Sequence, residues 1–281
     1  MPRPETPAVR LSARSVTMLA AAAVLGLLAF TWPLFVDPAS WLGADRTGTT
    51  TAPLILGGII LVVSVLLLAQ VTGDDLDVKA IAMLGVLSAV GTVIRPLGAG
   101  SAGMETVFFL LVLAGRGFGP GFGFVLGNLT LFASALITAG VGPWLPYQML
   151  GAGFVGLGAG LLPWRRGLPI RRELVLLGAY GLVASFTYGY LTDLAFWPFV
   201  FGSGMTQAGF DPAAGPWANL RTFFVVNTAT SLAWNLGRSI TCAVLLVLLG
   251  PALLRIFRRA ARRARFSVGG TSTEVVAVTE S

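Results

Sequence analysis

The most constraining feature of this chain is a run of four apolar segments laid end to end between Lys79 and Trp164, separated only by short Gly/Pro-containing turns. Such segments are long and continuous, and they do not alternate polar with apolar residues as barrel strands do. Lipid is therefore the expected solvent for most of the molecule. The rest of the sequence agrees, since 55% of its 281 residues are hydrophobic and only 11% are charged. A soluble domain could not cover that much apolar surface with polar groups. The reading is an all-α membrane protein of about eight transmembrane helices.

Residues 1–15 form a basic N-terminus carrying Arg3, Arg10 and Arg14. The apolar run from Val16 to Val36 is long enough to span and lacks a clean small-residue cleavage site, so a retained first helix is expected rather than a secretory signal. A second span, Pro53 to Val71, ends at the acidic turn Gly73 to Asp77. That turn is either a solvated connector or, on the pattern of acidic loops, a cation site. Residues 16–77 are thus read as an accessory two-helix extension.

A six-helix core over residues 78–256 follows. Its spans are expected at Lys79 to Ile94, Met104 to Ala114, Phe118 to Ala139, from Tyr147 onward, at Glu173 to Trp197, and within Arg221 to Leu254. The last region is too long for one span, so its start is expected to form a separate helix. Glycines at 151, 153, 156, 158 and 160 have no phosphate-loop lysine beside them and predict close helix packing. Ala82, Gly85 and Ala89 make a small-residue stripe on the first core helix. It suits either packing within the chain's own bundle or docking of a partner subunit. Residues 257–281 read as a basic, then disordered tail.

The net charge of +7 does not point to nucleic acid, because the basic residues flank apolar spans. With eight spans and a cytoplasmic N-terminus, 15 of the 19 basic residues fall on the inner side. Arg46, Arg95, Arg221 and Arg238 remain outside. The single cysteine, Cys242, and the absence of histidine exclude a disulfide framework and imidazole chemistry. No catalytic motif, metal site or cofactor signature is present, and an enzyme acting on lipid head groups is the minor reading.

Ionisable groups inside spans mark candidate sites, because each costs at least about 2.5–3.5 kcal/mol at the bilayer centre. Arg95, Glu105, Gln148, Asp193, Asn235 and Arg238 share the expected outer half, with Arg238–Asp193 and Arg95–Glu105 as the candidate pairs. The bland alternative is that such pairs only pin the bundle. Trp144, Tyr147, Tyr190, Trp197 and Trp234 lie near the same level and, with Asn128, complete a candidate pocket for a small polar, partly planar ligand. Aromatic belts mark every membrane interface, so only their coincidence with buried polar groups suggests a pocket.

The run IRPLGAG, then GMETVFFLLVLAGRGFGPGFGFVLGNLT, and above all GVGPWLPYQMLGAGFVGLGAGLLP resembles the substrate-binding S component of energy-coupling factor (ECF) transporters, particularly the actinobacterial type. AWNLGRSI at 233–240 resembles the family's last helix, with Asn235 where an Asp is expected. The resemblance covers about residues 79–265. It implies a six-helix subunit of the cell membrane that binds a vitamin or related micronutrient at its outer face. It further implies docking through the Ala82, Gly85 and Ala89 stripe onto a T component served by two ABC ATPases. The two extra N-terminal helices depart from that pattern. The alternative is an ion- or proton-coupled secondary transporter with Glu105 and Asp193 as titrating groups, against which stands the lack of an inverted repeat.

Overall fold

The computed structural model describes residues 13–35, 57–58, 61, 78–98, 103–163, 168–200, 209–211 and 214–266. These residues are essentially all helical: α1 (Ala13–Phe30), α2 (Val78–Ile94), α3 (Phe108–Phe118), α4 (Pro120–Ile137), α5 (Leu145–Leu161), α6 (Ile170–Val200) and α7 (Gly215–Phe266). Four stretches are long and apolar enough to cross a membrane, namely Val78–Gly98, Pro120–Ile137, Ile170–Pro198 and Gly215–Ala261. The protein is therefore membrane-embedded, with four such helices among the described residues against the eight anticipated. Apart from residues 57, 58 and 61, the second span and its acidic turn lie outside the described residues, as do Arg165, Arg166 and the tail beyond residue 266.

The fold is built around α3, in which every residue is buried. Arg116 apart, its residues are apolar or glycine, and α3 is enclosed by α4, α5, α6 and α7. The chain enters α4 through Gly119, whose φ of 114° is a conformation that a side chain would strain, and Pro120 then starts the helix. This tight reversal lays α4 directly beside α3.

The α4–α5 seam is close, and glycine makes it possible. A Cβ on Gly123 would overlap the backbone of Gly156, and one on Gly127 would overlap that of Ala152. The close-packing reading of the glycines in this helix thus holds at Gly156. Asn128 lies fully buried in the same seam, its Nδ2 donating to Phe124 O at 2.9 Å.

Helix α2 buries Ala80, Leu84, Leu87 and Gly91, and packs on α4. Ala82, Gly85 and Ala89 lie on the exposed side, and nothing approaches within 4 Å of a Cβ placed on Gly85. Among the described residues, then, the small-residue stripe is not what seals α2 onto its own bundle. Helix α1 packs against α5 and α6, where Trp32 just beyond it donates its indole N–H to Ala195 O at 3.0 Å.

The expectation of a separate helix before the last span is corrected. Helix α7 runs unbroken for 52 residues, about 78 Å at 1.5 Å per residue. Its first turns are secured by reciprocal bonds, Asp211 N to Asn219 Oδ1 at 2.9 Å and Asn219 Nδ2 to Asp211 O at 2.7 Å. No proline interrupts it between Pro216 and Pro251. Its polar stretch packs along α6, so it has a protein neighbour and no reason to turn.

Candidate functional site

Two clusters of charge lie at opposite ends of α6. Glu173 and Asp193 are twenty residues apart on that helix, or about 30 Å.

At the Glu173 end, Arg116 donates from Nε to Glu173 Oε1 at 2.9 Å, and Arg258 pairs with the other carboxylate oxygen. The Arg116 guanidinium also donates to Leu162 O at 2.8 Å and Pro163 O at 3.4 Å, meeting carbonyls that the end of α5 leaves without helical partners. Arg116 and Glu173 are almost wholly buried. One carboxylate thereby ties α3, α6 and α7, and Arg116 extends the tie to the end of α5.

At the other end, the expected pairing of Arg238 with Asp193 is corrected. Arg238 Nε donates to Glu105 Oε2 at 2.5 Å, and its Nη1 donates to Ser185 O at 3.2 Å and Asn235 Oδ1 at 2.9 Å. Its guanidinium carbon lies 5.4 Å from the Phe108 ring centroid and 4.9 Å from that of Tyr188. Two glycines build this arrangement. Gly103, at φ 77°, lets the loop that carries Glu105 meet the backbone of α7 at Trp234. Gly189 leaves the space on α6 that the Asn235 and Arg238 side chains fill.

The expected Arg95–Glu105 pair is likewise replaced. Arg95 donates to Ser134 Oγ and to Gln148 Oε1, each at 3.3 Å, joining α2's end to α4 and α5. Glu105 is taken by Arg238 because the bend at Gly103 turns its loop toward α7. Asn235, where the resemblance calls for an Asp, keeps the acceptor that Arg238 uses, while its Nδ2 has no partner.

Beside this network, α6 and α7 enclose a cavity of about 240 Å³ lined by Asp193, Phe196, Trp197, Phe223, Val226, Asn227, Thr230 and Ser231. The α6 residues follow at i, i+3 and i+4, and those of α7 at i, i+3, i+4, i+7 and i+8, so each set is one helix face. Asn227 is 4% exposed, and its Nδ2 has no hydrogen-bond partner. Aromatic rings seal the cavity's apolar side: Trp197 lies 5.6 Å from Phe210 and 5.5 Å from Phe223, centroid to centroid.

Of the residues expected at the pocket, Asp193 and Trp197 line this cavity. Tyr190 stands next to it, bonded through its hydroxyl to Thr228 Oγ1 at 2.8 Å and packed on Phe223 and Phe224. Tyr147 is buried behind the wall, 5.0 Å from the Phe196 ring and 5.7 Å from Phe30. Arg95, Glu105, Gln148, Asn235 and Arg238 belong to the two networks, and Asn128 to the α4–α5 seam. Trp144 and Trp234 are each 46% exposed and line no described cavity. The lining residues not anticipated from the sequence are Phe196, Phe223, Val226, Asn227, Thr230 and Ser231. Their helical spacing was a usable signal once α7 is taken as one helix.

A second cavity, of about 160 Å³, lies between α5 and α6 beside Phe30 and holds no acidic or basic side chain. Compared with protein-family models, curated proteins and solved structures, the chain matches none.

Proposed function

We propose that this chain is a substrate-capture subunit of the cell membrane, the S component of an ECF-type importer, with both termini cytoplasmic. In this reading it binds a vitamin-like micronutrient from outside and passes it inward with a T component and two ABC ATPases, catalysing nothing itself. The observation that carries the reading is the cavity between α6 and α7. It combines apolar walls, a carboxylate and a buried amide donor without a partner, at the end of the bundle away from the basic segment that closes α7. A few fixed polar groups in an otherwise apolar concavity are what a small-molecule site requires.

Two further features support the reading. The exposed stripe of Ala82, Gly85 and Ala89 offers a face that another helix can approach closely. The excess of arginine at the Glu173 end agrees with a cytoplasmic placement of that end. Of the two acids on which a secondary transporter would draw, Glu105 is paired with Arg238.

The test is to purify the chain in detergent from cells grown in rich medium, denature it, and identify bound small molecules by mass spectrometry. A stoichiometric organic compound, with uptake into liposomes only when an ATPase module is added, is expected. Proton- or sodium-driven uptake by the chain alone overturns the reading.

A further inference from the structure

The arginine that sequence reasoning offered to a ligand is not free to take one. Arg238 is occupied by Glu105, Asn235 and the Ser185 carbonyl, and it is flanked by two aromatic rings. Arg95 is turned toward Ser134 and Gln148. An anionic ligand entering the cavity would meet the Asp193 carboxylate and find no uncommitted guanidinium among its lining residues. The sign of the site is therefore set by the acid.

Asp193 forms no ion pair among the described residues: Arg238 is near enough to act on it electrostatically but is bonded to Glu105, so a carboxylate in a span keeps no counter-charge of its own. Ser231 is placed to hydrogen-bond it, which orients the carboxylate without neutralising it. Around it stand Phe196, Trp197 and Phe223, whose ring faces attract a cation and more strongly so away from water. Across the cavity Asn227 presents an amide donor that is 4% exposed and unpartnered, a state that buried polar groups rarely keep without a ligand or water. Thr230 donates its hydroxyl to Val226 O at 2.9 Å, which leaves its oxygen able to accept.

We propose that the cavity between α6 and α7 takes a small organic cation: a positively charged nitrogen against Asp193 and the aromatic walls, with an acceptor atom elsewhere on the molecule meeting Asn227. The proposal rests on the capture reading above and narrows its substrate class. At about 240 Å³ the cavity is below the range of roughly 300–1,000 Å³ typical of drug-sized sites, so it fits a small ligand or the charged ring of a larger one.

Three probes that share a phenethyl group separate the alternatives: phenethylamine, phenethyl alcohol and hydrocinnamate, titrated calorimetrically into the purified full-length chain in detergent. The amine is expected to bind about tenfold or more tightly than the alcohol, with no binding of the acid. Asp193→Asn, nearly isosteric, should abolish the preference for amine over alcohol while the protein keeps a cooperative melting transition. Asn227→Leu, which fills the cavity, should weaken amine and alcohol alike. Preference for hydrocinnamate, amine preference surviving Asp193→Asn, or binding of none of the three overturns the cation assignment. A co-purified anionic compound would do the same and leave the capture reading standing. Uptake without an ATPase would remove the capture reading whatever the charge of the cargo.

Discussion

The two ends of α6 carry similar residues and put them to opposite uses. At the Glu173 end, two arginines share one carboxylate and the spare guanidinium donors meet backbone carbonyls. At the Asp193 end, one arginine is matched to a different acid, and Asp193, Asn227 and Ser231 are left lining a cavity. Charge that is buried, paired and fully hydrogen-bonded pins helices together, and its loss leaves an uncompensated ion. Buried polar groups left open are costly to the fold and useful to a ligand. The first end is built for structure and the second for binding.

The sharpest way to break this contrast is Glu173→Leu. It leaves Arg116 buried without its counter-ion, and a loss of about 3–5 kcal/mol is expected, read as a lower unfolding midpoint in detergent. Gly189→Val is next. Its side chain must displace Asn235 and Arg238, costing about 1–3 kcal/mol by overpacking and disturbing ligand binding as well as the thermal midpoint. Glu105→Gln should cost only about 1.5 kcal/mol, since its carboxylate is partly open to solvent, with a side chain 24% exposed. Equal losses at Glu173 and Glu105 would erase the proposed division between the ends. The smallest effect, and the only one of opposite sign, is expected from Asn227→Leu. Removing an unpartnered amide should leave stability unchanged or raise it by up to about 1 kcal/mol, while ligand binding falls. A clear destabilisation there would mean that Asn227 serves the fold.

Much of the helix pattern was legible in the residues. Expected and observed boundaries of the third and fifth spans differ by a few residues at most, Val78–Ile94 and Pro120–Ile137, because Arg95-Pro96 and Gly119-Pro120 punctuate long apolar runs. The span placed at Met104 to Ala114 lies four residues later, as Phe108–Phe118, because the loop through Gly103 and Glu105 bends onto α7 first. The region from Arg221 to Leu254, expected to begin with a separate helix, is part of one continuous helix. Its length argued for a break, whereas in the bundle the helix packs along α6 and runs on.

The site was half legible. The cost of placing Arg95, Glu105, Asp193, Asn235 and Arg238 in spans singled them out as groups that need partners. Which of them pair did not follow, since charge alone makes Arg238–Asp193 as reasonable as Arg238–Glu105. The choice was made by two glycines that no charge count would weigh: Gly103, which brings Glu105 to α7, and Gly189, which makes room for Arg238.

By itself, then, the sequence determined that this chain lives in lipid, is helical, and carries arginine mostly beside its spans. Those properties follow from local composition and from the cost of unsatisfied backbone in hydrocarbon. Only the tertiary structure decided that Arg238 belongs to Glu105, that Asn227 joins Asp193 across a cavity, and that the small-residue face of α2 is left open among the described residues. Partner choice depends on where backbones cross and how closely they approach, and those distances arise from residues far apart in the chain.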